Sequence, residues 1–310
     1  MKTLKLLLVT LVIVFSASLV SCITPKEIEK ATLITPTGAP SLAIGDALLN
    51  SSYIEAEIVS GSDPLVAAFT KGTHDIIVAP VNLGAKFYNT NDKFEYVFYK
   101  TIVWGNYYLA STKEIASFDS LDGKTLLVFG KNSTPDVVVR TLIASKGLKV
   151  ELEYVDDVST ANSYLLTGKA DIIVSAEPSL TKISGKKTIY TYDLQKEWQA
   201  LTGSYSFPQA GIFVKKAKKD DFNVRHALTA LTDSVRLAST NPNKLVESSI
   251  TVDSNLASIG ENVLKEAVLK CNLKVAESQK EAIDFYFSKV IALGIGQTVG
   301  GKLPDEGFYY

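Results

Sequence analysis

The sequence predicts an α/β protein made of two similar lobes. Residues 72–79 (GTHDIIVA) recur as residues 168–175 (GKADIIVS), and the same offset of ninety-six aligns residues 55–59 with residues 151–155. In each copy an extended segment leads to a helix, then to Gly-x-x-Asp, then to an apolar run typical of a buried parallel strand. Each copy is therefore predicted to form a β-α-β unit, and a groove between two such lobes is a common place for a small ligand.

Composition and charge limit the classes of protein to consider. The chain has 310 residues, of which 46% are hydrophobic and 21% charged, so it is long enough for two globular cores. Its formal net charge is −1, and no block of Lys or Arg provides the electrostatic footprint of a nucleic-acid binder. We expect a monomer with no nucleic-acid partner.

The N-terminus has the pattern of an export signal. Residues 1–21 combine a basic start with an apolar run over 6–15 that is too short for a membrane span. Residues 19–22 (LVSC) resemble the bacterial lipobox, which implies a lipid on Cys22, cleavage before it, and an anchor of at least two acyl chains on the outer face of the cell membrane. The alternative is an ordinary cleaved signal followed by a chance cysteine. If Cys22 is lipidated, Cys271 has no disulfide partner.

The elements of the first lobe follow a short tether. Residues 22–30 are polar, and residues 31–35 are predicted to form the first strand. The turn over 36–40 ends that strand, and a helix over 41–49 follows, with Ser41 as its cap. The first copy of the repeat then supplies the next strand, helix and strand.

The second lobe contains matching elements. Residues 124–129 are predicted to form a strand, 130–135 a turn, and 136–146 a helix that ends at Gly147. The turn runs into a proline suited to the first helical position, with an acid in the first turn. With the second copy of the repeat, each lobe is predicted to have a β-α-β-α-β pattern.

Two crossings are predicted to connect the lobes. Residues 94–99 and 103–109 are expected to be strands, the second of which carries the chain out of the first lobe, and a strand over 210–215 carries it back. Helices are predicted over 222–238, 262–269 and 278–293. The resulting organisation is a signal peptide at 1–21, a tether at 22–30, lobe 1 at 31–106 and 211–310, and lobe 2 at 107–210.

Several stretches together resemble the solute-binding proteins of bacterial ABC importers, in the branch that binds alkanesulfonates, nitrate, taurine and pyrimidine precursors of thiamine. The matching stretches are 34–45, the two Gly-x-x-Asp-Ile-Ile-Val units, 121–125, 208–214 and 300–305. The resemblance implies the type 2 periplasmic-binding-protein fold, two α/β lobes joined by two crossing strands. It also implies capture of a small solute for an ABC permease and its ATPase.

Ligands of open α/β sheets lie beyond the carboxyl ends of the strands. That rule and the two crossings select these predicted ligand-binding residues: Thr37, Gly38, Ser41, Ser62, Asn82, Trp104, Asn106, Tyr107, Asn132, Ser133, Thr134, Glu177 and Gln209. Ser133 and Thr134 begin a helix, where hydroxyls and free backbone N–H groups suit an anion, and Thr37 and Ser41 are their counterparts. The alternative is that these residues are helix caps and nothing more.

Other candidates favour different ligand chemistry. Glu177 stands where the first copy has Val81, and a carboxylate in a cleft favours a cationic or amine-bearing heterocycle, unless it is a solvent-facing loop acid. Trp104 and Tyr107 are predicted to stack on a planar ligand. Asp157, like Asp63, is interpreted as a helix cap, and the repeated Asp75 and Asp171 are interpreted as structural.

The residues needed for catalysis are missing from the pattern. The two histidines, His74 and His226, have no metal-ligand spacing, and no phosphate-binding loop or nucleophile elbow occurs. We therefore expect no catalytic residues, no metal, no cofactor and no enzyme activity. Two alternatives remain, a ligand-sensing surface lipoprotein without a transporter and an exported enzyme on the same fold. The solute stays open between a planar heterocycle such as a thiamine precursor, a sulfonate and a peptide-like compound.

Overall fold

The computed structural model describes residues 28–203, 206–276 and 279–310, so the signal peptide and Cys22 lie outside the described residues. The strands are β1 (Ala31–Pro36), β2 (Ile54–Val59), β3 (Ile76–Pro80), β4 (Tyr96–Trp104), β5 (Tyr107–Ser111), β6 (Thr125–Phe129), β7 (Glu151–Val155), β8 (Ile172–Ala176), β9 (Tyr190–Asp193) and β10 (Pro208–Lys215). The helices are α1 (Ala39–Asn50), α2 (Asp63–Lys71), α3 (Val81–Thr90), α4 (Thr134–Lys146), α5 (Val158–Thr167), α6 (Ser179–Ser184), α7 (Leu194–Thr202), α8 (Phe222–Thr240), α9 (Pro242–Val252), α10 (Ser254–Ile259), α11 (Glu261–Ala267) and α12 (Lys280–Ala292).

The strands form two five-stranded sheets of the same design. Their orders are β2-β1-β3-β10-β4 and β7-β6-β8-β5-β9. In the first sheet β1 pairs in parallel with β2 and β3, and in the second β6 pairs in parallel with β7 and β8. The fourth strand is antiparallel in both sheets. The predicted α/β architecture of two similar lobes is confirmed.

The crossings differ in detail from the prediction. The stretch 103–109 was predicted as one strand, and that prediction is wrong, because β4 ends in the first sheet at Trp104 and β5 starts in the second at Tyr107. Gly105 and Asn106 between them have φ of 79° and 88°, a conformation that interrupts a strand and that Gly and Asn adopt more readily than other residues. The return strand β10 already pairs with β4 at Pro208.

Turn chemistry explains the start of the first helix and the repeated glycines. Helix α1 begins at Ala39, so the prediction that Ser41 caps it is wrong: Gly38 is the N-cap, and Pro40 occupies the first turn, where its missing N–H costs nothing. Gly72 and Gly168 end α2 and α5 with φ of 62° and 74°, as the repeat predicts. The carboxylate of Asp75 accepts hydrogen bonds of 3.0 Å from the backbone N and the hydroxyl of Thr32, which is the structural role predicted for it.

A continuous apolar core connects the lobes behind the crossings. It contains Phe213 of the first sheet and Tyr107 of the second, and the C-terminal helix α12 packs against both β10 and α4. Tyr286 of α12 lies 5.3 Å from Trp198 of α7, measured between ring centroids. No helix in the described part of the chain is long and apolar enough to span a membrane.

Candidate functional site

A cleft of about 590 Å³ lies between the two lobes, at the carboxyl ends of their parallel strands. From the first lobe it is lined by residues 36–40 after β1, by residues 60–62 after β2, and by α10. From the second it is lined by residues 156–159 after β7, by 176–179 after β8, and by parts of α5 and α6. A volume of this size is typical of small-molecule sites.

The cleft brings together part of the predicted set. The predicted residues that line it are Thr37, Gly38, Ser62, Tyr107, Ser133, Glu177 and Gln209. The predicted residues that do not line it are Ser41, Asn82, Trp104, Asn106, Asn132 and Thr134, all within a few residues of the lining in sequence or in contact with it. For every member of both groups the ligand-binding role stays a prediction.

The turn after β1 is held by a buried acid. The hydroxyls of Thr37 and Ser41 donate to Oδ2 of Asp253, at 2.8 and 2.7 Å. The other carboxylate oxygen of Asp253 caps α10 by accepting from the backbone N of Asn255 and Leu256. Asp253 is buried. These two hydroxyls therefore face a carboxylate in this structure, and an anion near them would meet negative charge.

The turn after β6 is held by a different acid. Asp136 Oδ2 accepts from the backbone N of Asn132 at 2.8 Å, and Oδ1 accepts from the hydroxyl of Tyr154 at 2.9 Å. Ser133 is the N-cap of α4, but its hydroxyl donates to the carbonyl of Gly130 instead of accepting from the helix. Burial and the neighbouring carboxylate raise the pKa of Tyr154 to about 12, so its hydroxyl stays a donor.

A buried polar network connects the lobes behind the cleft. Asn82 Nδ2 donates to the carbonyl of Asn132 at 3.0 Å and to that of Thr298 at 3.4 Å. The hydroxyl of Thr134 lies 3.1 Å from both Asn82 Oδ1 and the carbonyl of Gln209. Asn82 and Thr134 are fully buried. The structure thus places four predicted site residues, Asn82, Asn132, Thr134 and Gln209, together in a contact between the lobes behind the cavity.

Gln209 lines the cleft and has a buried, unpaired acceptor. It lines the cavity, it is 8% exposed, and its Oε1 has no hydrogen-bond partner among the described residues. Buried polar atoms are normally paired, and an unpaired one costs free energy. A ligand N–H or O–H group could satisfy this atom.

Glu177 is buried at the start of α6. Its carboxylate accepts from the backbone N of Thr181 at 3.1 Å and from the Thr181 hydroxyl at 3.0 Å. Burial raises its pKa, and the two hydrogen bonds from Thr181 oppose that rise. Asn106 Nδ2 donates to the Glu177 carbonyl at 3.3 Å. Glu177 is therefore not the solvent-facing loop acid of the alternative interpretation.

Two lysines that the sequence analysis did not predict line the cleft. Lys182 of α6 and Lys186, one turn later, both line the cavity, and neither forms an ion pair with a described residue. Lys182 Nζ donates to the hydroxyl of Ser258 in α10 at 3.3 Å, across the cleft. Burial, and then the charge of Lys186, lower the pKa of Lys182. The two lysines lie four residues apart and soon after the repeated strand β8, and this spacing is the sequence signal that could have identified them.

The predicted aromatic pair is divided by the structure. Tyr107 lines the cleft, stacks on Phe207 at 5.7 Å and meets Phe129 edge to face at 5.8 Å. Burial raises the pKa of Tyr107 well above its usual range. Trp104 is buried away from the cavity, with Lys274 Nζ 5.6 Å from its ring centre. Only Tyr107 is placed to contact a ligand in the cleft.

The acidic residues of the cleft do not form a metal site. Asp157 caps α5 by accepting from the backbone N of Thr160 at 2.9 Å, as predicted. Among the described residues, no group of three or more His, Cys, Asp or Glu side chains is placed to hold a metal ion.

Solved structures share the architecture. An ABC transporter protein from Parabacteroides distasonis has a TM-score of 0.73 and 21% identity, covering 92% of this chain and 99% of that one. A ligand-binding component of an ABC-type import system from Staphylococcus aureus, with zinc bound, has a TM-score of 0.69 and 11% identity, covering 91% and 96%. The alkanesulfonate-binding protein SsuA from Xanthomonas axonopodis pv. citri, bound to MOPS, has a TM-score of 0.64 and 11% identity, covering 88% and 96%. Identities this low establish the fold alone, and the predicted periplasmic-binding-protein fold is confirmed.

Comparison with curated proteins gave no match. A family model gave one: the model described as menaquinone biosynthesis matches residues 107–291. That range includes all of the second sheet, the return strand β10 and the helices from α4 to α11. Because the match spans more than half of its length, the chain belongs to the menaquinone biosynthesis family.

Proposed function

We propose that this protein binds a small solute in the cleft between its two lobes. The observation that carries the proposal is the 590 Å³ cavity itself, which is lined from both lobes and contains an unpaired acceptor on Gln209. Closure of two lobes on a ligand buries most of the ligand surface. The solute-binding importer components among the structural neighbours support a binding role.

The solute is a small, planar or anionic compound. Lys182 and Lys186 supply positive charge without an ion-pair partner among the described residues, and Tyr107 supplies an aromatic surface. Glu177 opposes an anion less than a free carboxylate would, because burial favours its neutral form. The MOPS bound to an alkanesulfonate-binding neighbour carries an anionic sulfonate group.

The protein delivers this solute to an ABC permease and its ATPase from the outer face of the cell membrane, held there by lipid on Cys22. The lipobox-like residues 19–22 support the anchor, and the importer neighbours support the permease. A ligand-sensing surface lipoprotein without a transporter is the alternative within the same binding role. Genes for a permease and an ATPase beside that of the protein would favour import.

A thermal-shift experiment with two probes of the same shape and different charge tests the binding role. Planar 2-naphthoate should raise the melting temperature, and its neutral isostere 2-naphthamide should do so less, because a ligand that binds only the folded state stabilises it. MOPS and a thiamine pyrimidine precursor extend the panel. The proposal fails if no compound in a broad panel of small anions and heterocycles changes the melting temperature.

A second candidate is an enzyme that converts a menaquinone precursor, and the family match favours it. The cleft contains one group suited to proton transfer, Glu177, whose pKa burial raises. The two functions differ in the fate of the ligand. After prolonged incubation, mass spectrometry should detect the probe unchanged if the protein only binds it. If the protein is an enzyme, mass spectrometry should detect a product, and the Glu177→Gln variant should form less of that product.

A further inference from the structure

An exposed aromatic face lies on lobe 1, away from the cleft. Its most exposed members are Phe222 at 64% and Tyr310 at 48%. Tyr53 and His226 complete it, with ring centroids 4.8 Å apart, and Phe222 lies 5.9 Å from Tyr53. We call these four residues the Phe222 face. None of them lines the cleft.

A groove of about 650 Å³ runs beside this face. Its lining includes Phe222, His226 and Tyr310, together with Tyr99, which meets Tyr310 edge to face at 5.0 Å. Aromatic side chains that leave an apolar body in water are typical of surfaces that meet a partner or a lipid interface. The groove is therefore a candidate contact surface.

The start of the described chain lies against the same face. The backbone N of Ala31 donates to the carbonyl of Tyr53 at 2.8 Å, and Glu29 is close enough to Lys218 to raise its pKa, after the larger effects of Asp221 and Asp75. Ile28 is the sixth residue after Cys22, and a fully extended chain covers about 3.5 Å per residue. A lipid on Cys22 would keep Ile28 within about 20 Å of the bilayer surface.

Charge does not explain attachment at this face. The cations Lys218, Lys219 and Arg225 stand beside the acids Asp220, Asp221 and Glu29. Lys218 forms an ion pair with Asp221 at 3.1 Å, and Lys219 lies 5.7 Å from the centre of the Tyr310 ring. Charges of both signs that lie close together give little attraction to anionic lipid. Apolar contact is the remaining attraction, and Phe222 offers most of it.

We infer that the Phe222 face rests on the phospholipid bilayer in which Cys22 is anchored. The inference depends on the lipid attachment that belongs to the proposed function. Strand β1 begins beside this face at Ala31 and ends at the cleft with Pro36, so the face and the cleft lie at opposite ends of the first sheet. This orientation directs the cleft towards the solution while the solute is captured, and delivery to a permease in the same bilayer then requires the protein to leave the surface and turn on its tether.

Energy transfer from two positions tests the orientation. The lipidated full chain is inserted into phosphatidylcholine vesicles that contain rhodamine-labelled phosphatidylethanolamine. A donor dye is attached at Thr229→Cys, in the groove, or at Ser163→Cys, at the cleft; Cys271 is fully buried and does not react. Transfer should be about twofold greater from position 229 than from position 163, because the groove lies against the bilayer.

Two further variants separate apolar contact from a general surface effect. Phe222→Ser should lower transfer from position 229 to the level of position 163. Leu269→Ser removes an apolar side chain that is 70% exposed outside the face, and it should leave transfer unchanged. Adding phosphatidylglycerol or salt should have no effect, because the face has no net charge.

The outcomes are distinguishable. Equal transfer from both positions, or no change with Phe222→Ser, overturns the inference while leaving solute binding intact. Transfer that appears only with phosphatidylglycerol, and is lost in salt, also overturns it in favour of charge attraction. An unmodified Cys22 in the mass spectrum of the membrane-extracted protein would overturn the lipid anchor and this inference together.

Discussion

The two copies of the repeated strand lead into buried regions that differ in their contacts. After β3, helix α3 starts with Val81 and Asn82, both fully buried, and Asn82 bonds to the second lobe and to the C-terminal segment. After β8, the corresponding positions are Glu177 and Pro178, which line the cleft. The region after β3 forms hydrogen bonds between the lobes, and the region after β8 lines the cleft.

The difference shows how one scaffold can separate two tasks. The shared Gly-x-x-Asp turn and apolar strand fix where each repeated strand ends. The residues just after the strand decide which side chains lie at that point. Lobe 1 has a buried amide at this position, so mutations there should act on stability. Lobe 2 has Glu177 and then Lys182, so mutations there should act on affinity and pH dependence.

The largest expected effect follows from removing Asn82. Asn82→Ala leaves the carbonyls of Asn132 and Thr298 and the hydroxyl of Thr134 without this partner in a buried site. The free energy of unfolding should fall by about 3 kcal/mol, given about 1 kcal/mol or more for each buried group left unpaired. Urea denaturation measures it. A change below about 0.5 kcal/mol, the range of ordinary surface substitutions, would mean that the network contributes little to holding the lobes.

The next effect concerns affinity rather than stability. Replacing Lys182 and Lys186 together by Gln should weaken binding of an anionic probe by about tenfold or more, because hydrogen bonds to charged groups contribute about 1.5–3 kcal/mol each. Binding of its neutral isostere should change little. Calorimetry on 2-naphthoate and 2-naphthamide measures both.

Lys187→Gln is the matched control for this pair. Lys187 follows Lys186 directly but is exposed and does not line the cleft, so its replacement removes one positive charge beside the site, half of what the double substitution removes, without touching the site. Equal losses from Lys187→Gln and from the double substitution would indicate a long-range effect of net charge. The binding of an anion could then not be attributed to the lysines that line the cleft in lobe 2.

The sequence predicted the fold more fully than the site, for physical reasons. Repeated apolar runs and Gly-x-x-Asp turns are local signals, so both sheets could be predicted from them. The partner of Thr37 is Asp253, more than two hundred residues away, and no local pattern indicates such a contact. Lys182 was not among the predicted residues, and its hydrogen bond to Ser258 in α10 of the other lobe is likewise a contact that no local pattern indicates. Trp104 was predicted to face a ligand, but the break at Gly105 leaves it on the first sheet.

A smaller effect concerns the helices that precede the repeated strands. Asp157 caps α5 with a 2.9 Å hydrogen bond, whereas its counterpart Ser62 caps α2 without a side-chain bond. Asp157→Ala should lower the free energy of unfolding by about 1 kcal/mol, and Ser62→Ala by a few tenths of that, because only the first loses a cap bond. Thermal or urea denaturation of the two variants measures the difference. Equal losses would show that the cap geometry does not distinguish the lobes.

The smallest expected effect is a pH dependence of stability that comes from Glu177 in lobe 2. The matching position in lobe 1 is Val81, which has no titratable group. Burial raises the pKa of Glu177 from its ordinary value of 4.5, so its stabilising contribution is fully present below 4.5 and is lost as the pH rises through the raised value. The wild type should therefore lose stability relative to Glu177→Gln between pH 4 and pH 8. The bonds from Thr181 limit this loss, and Thr181→Val should enlarge it by removing one donor. Urea denaturation at the two pH values decides the matter, because a constant difference would mean that the Glu177 carboxylate is as well solvated in the folded protein as in the unfolded chain.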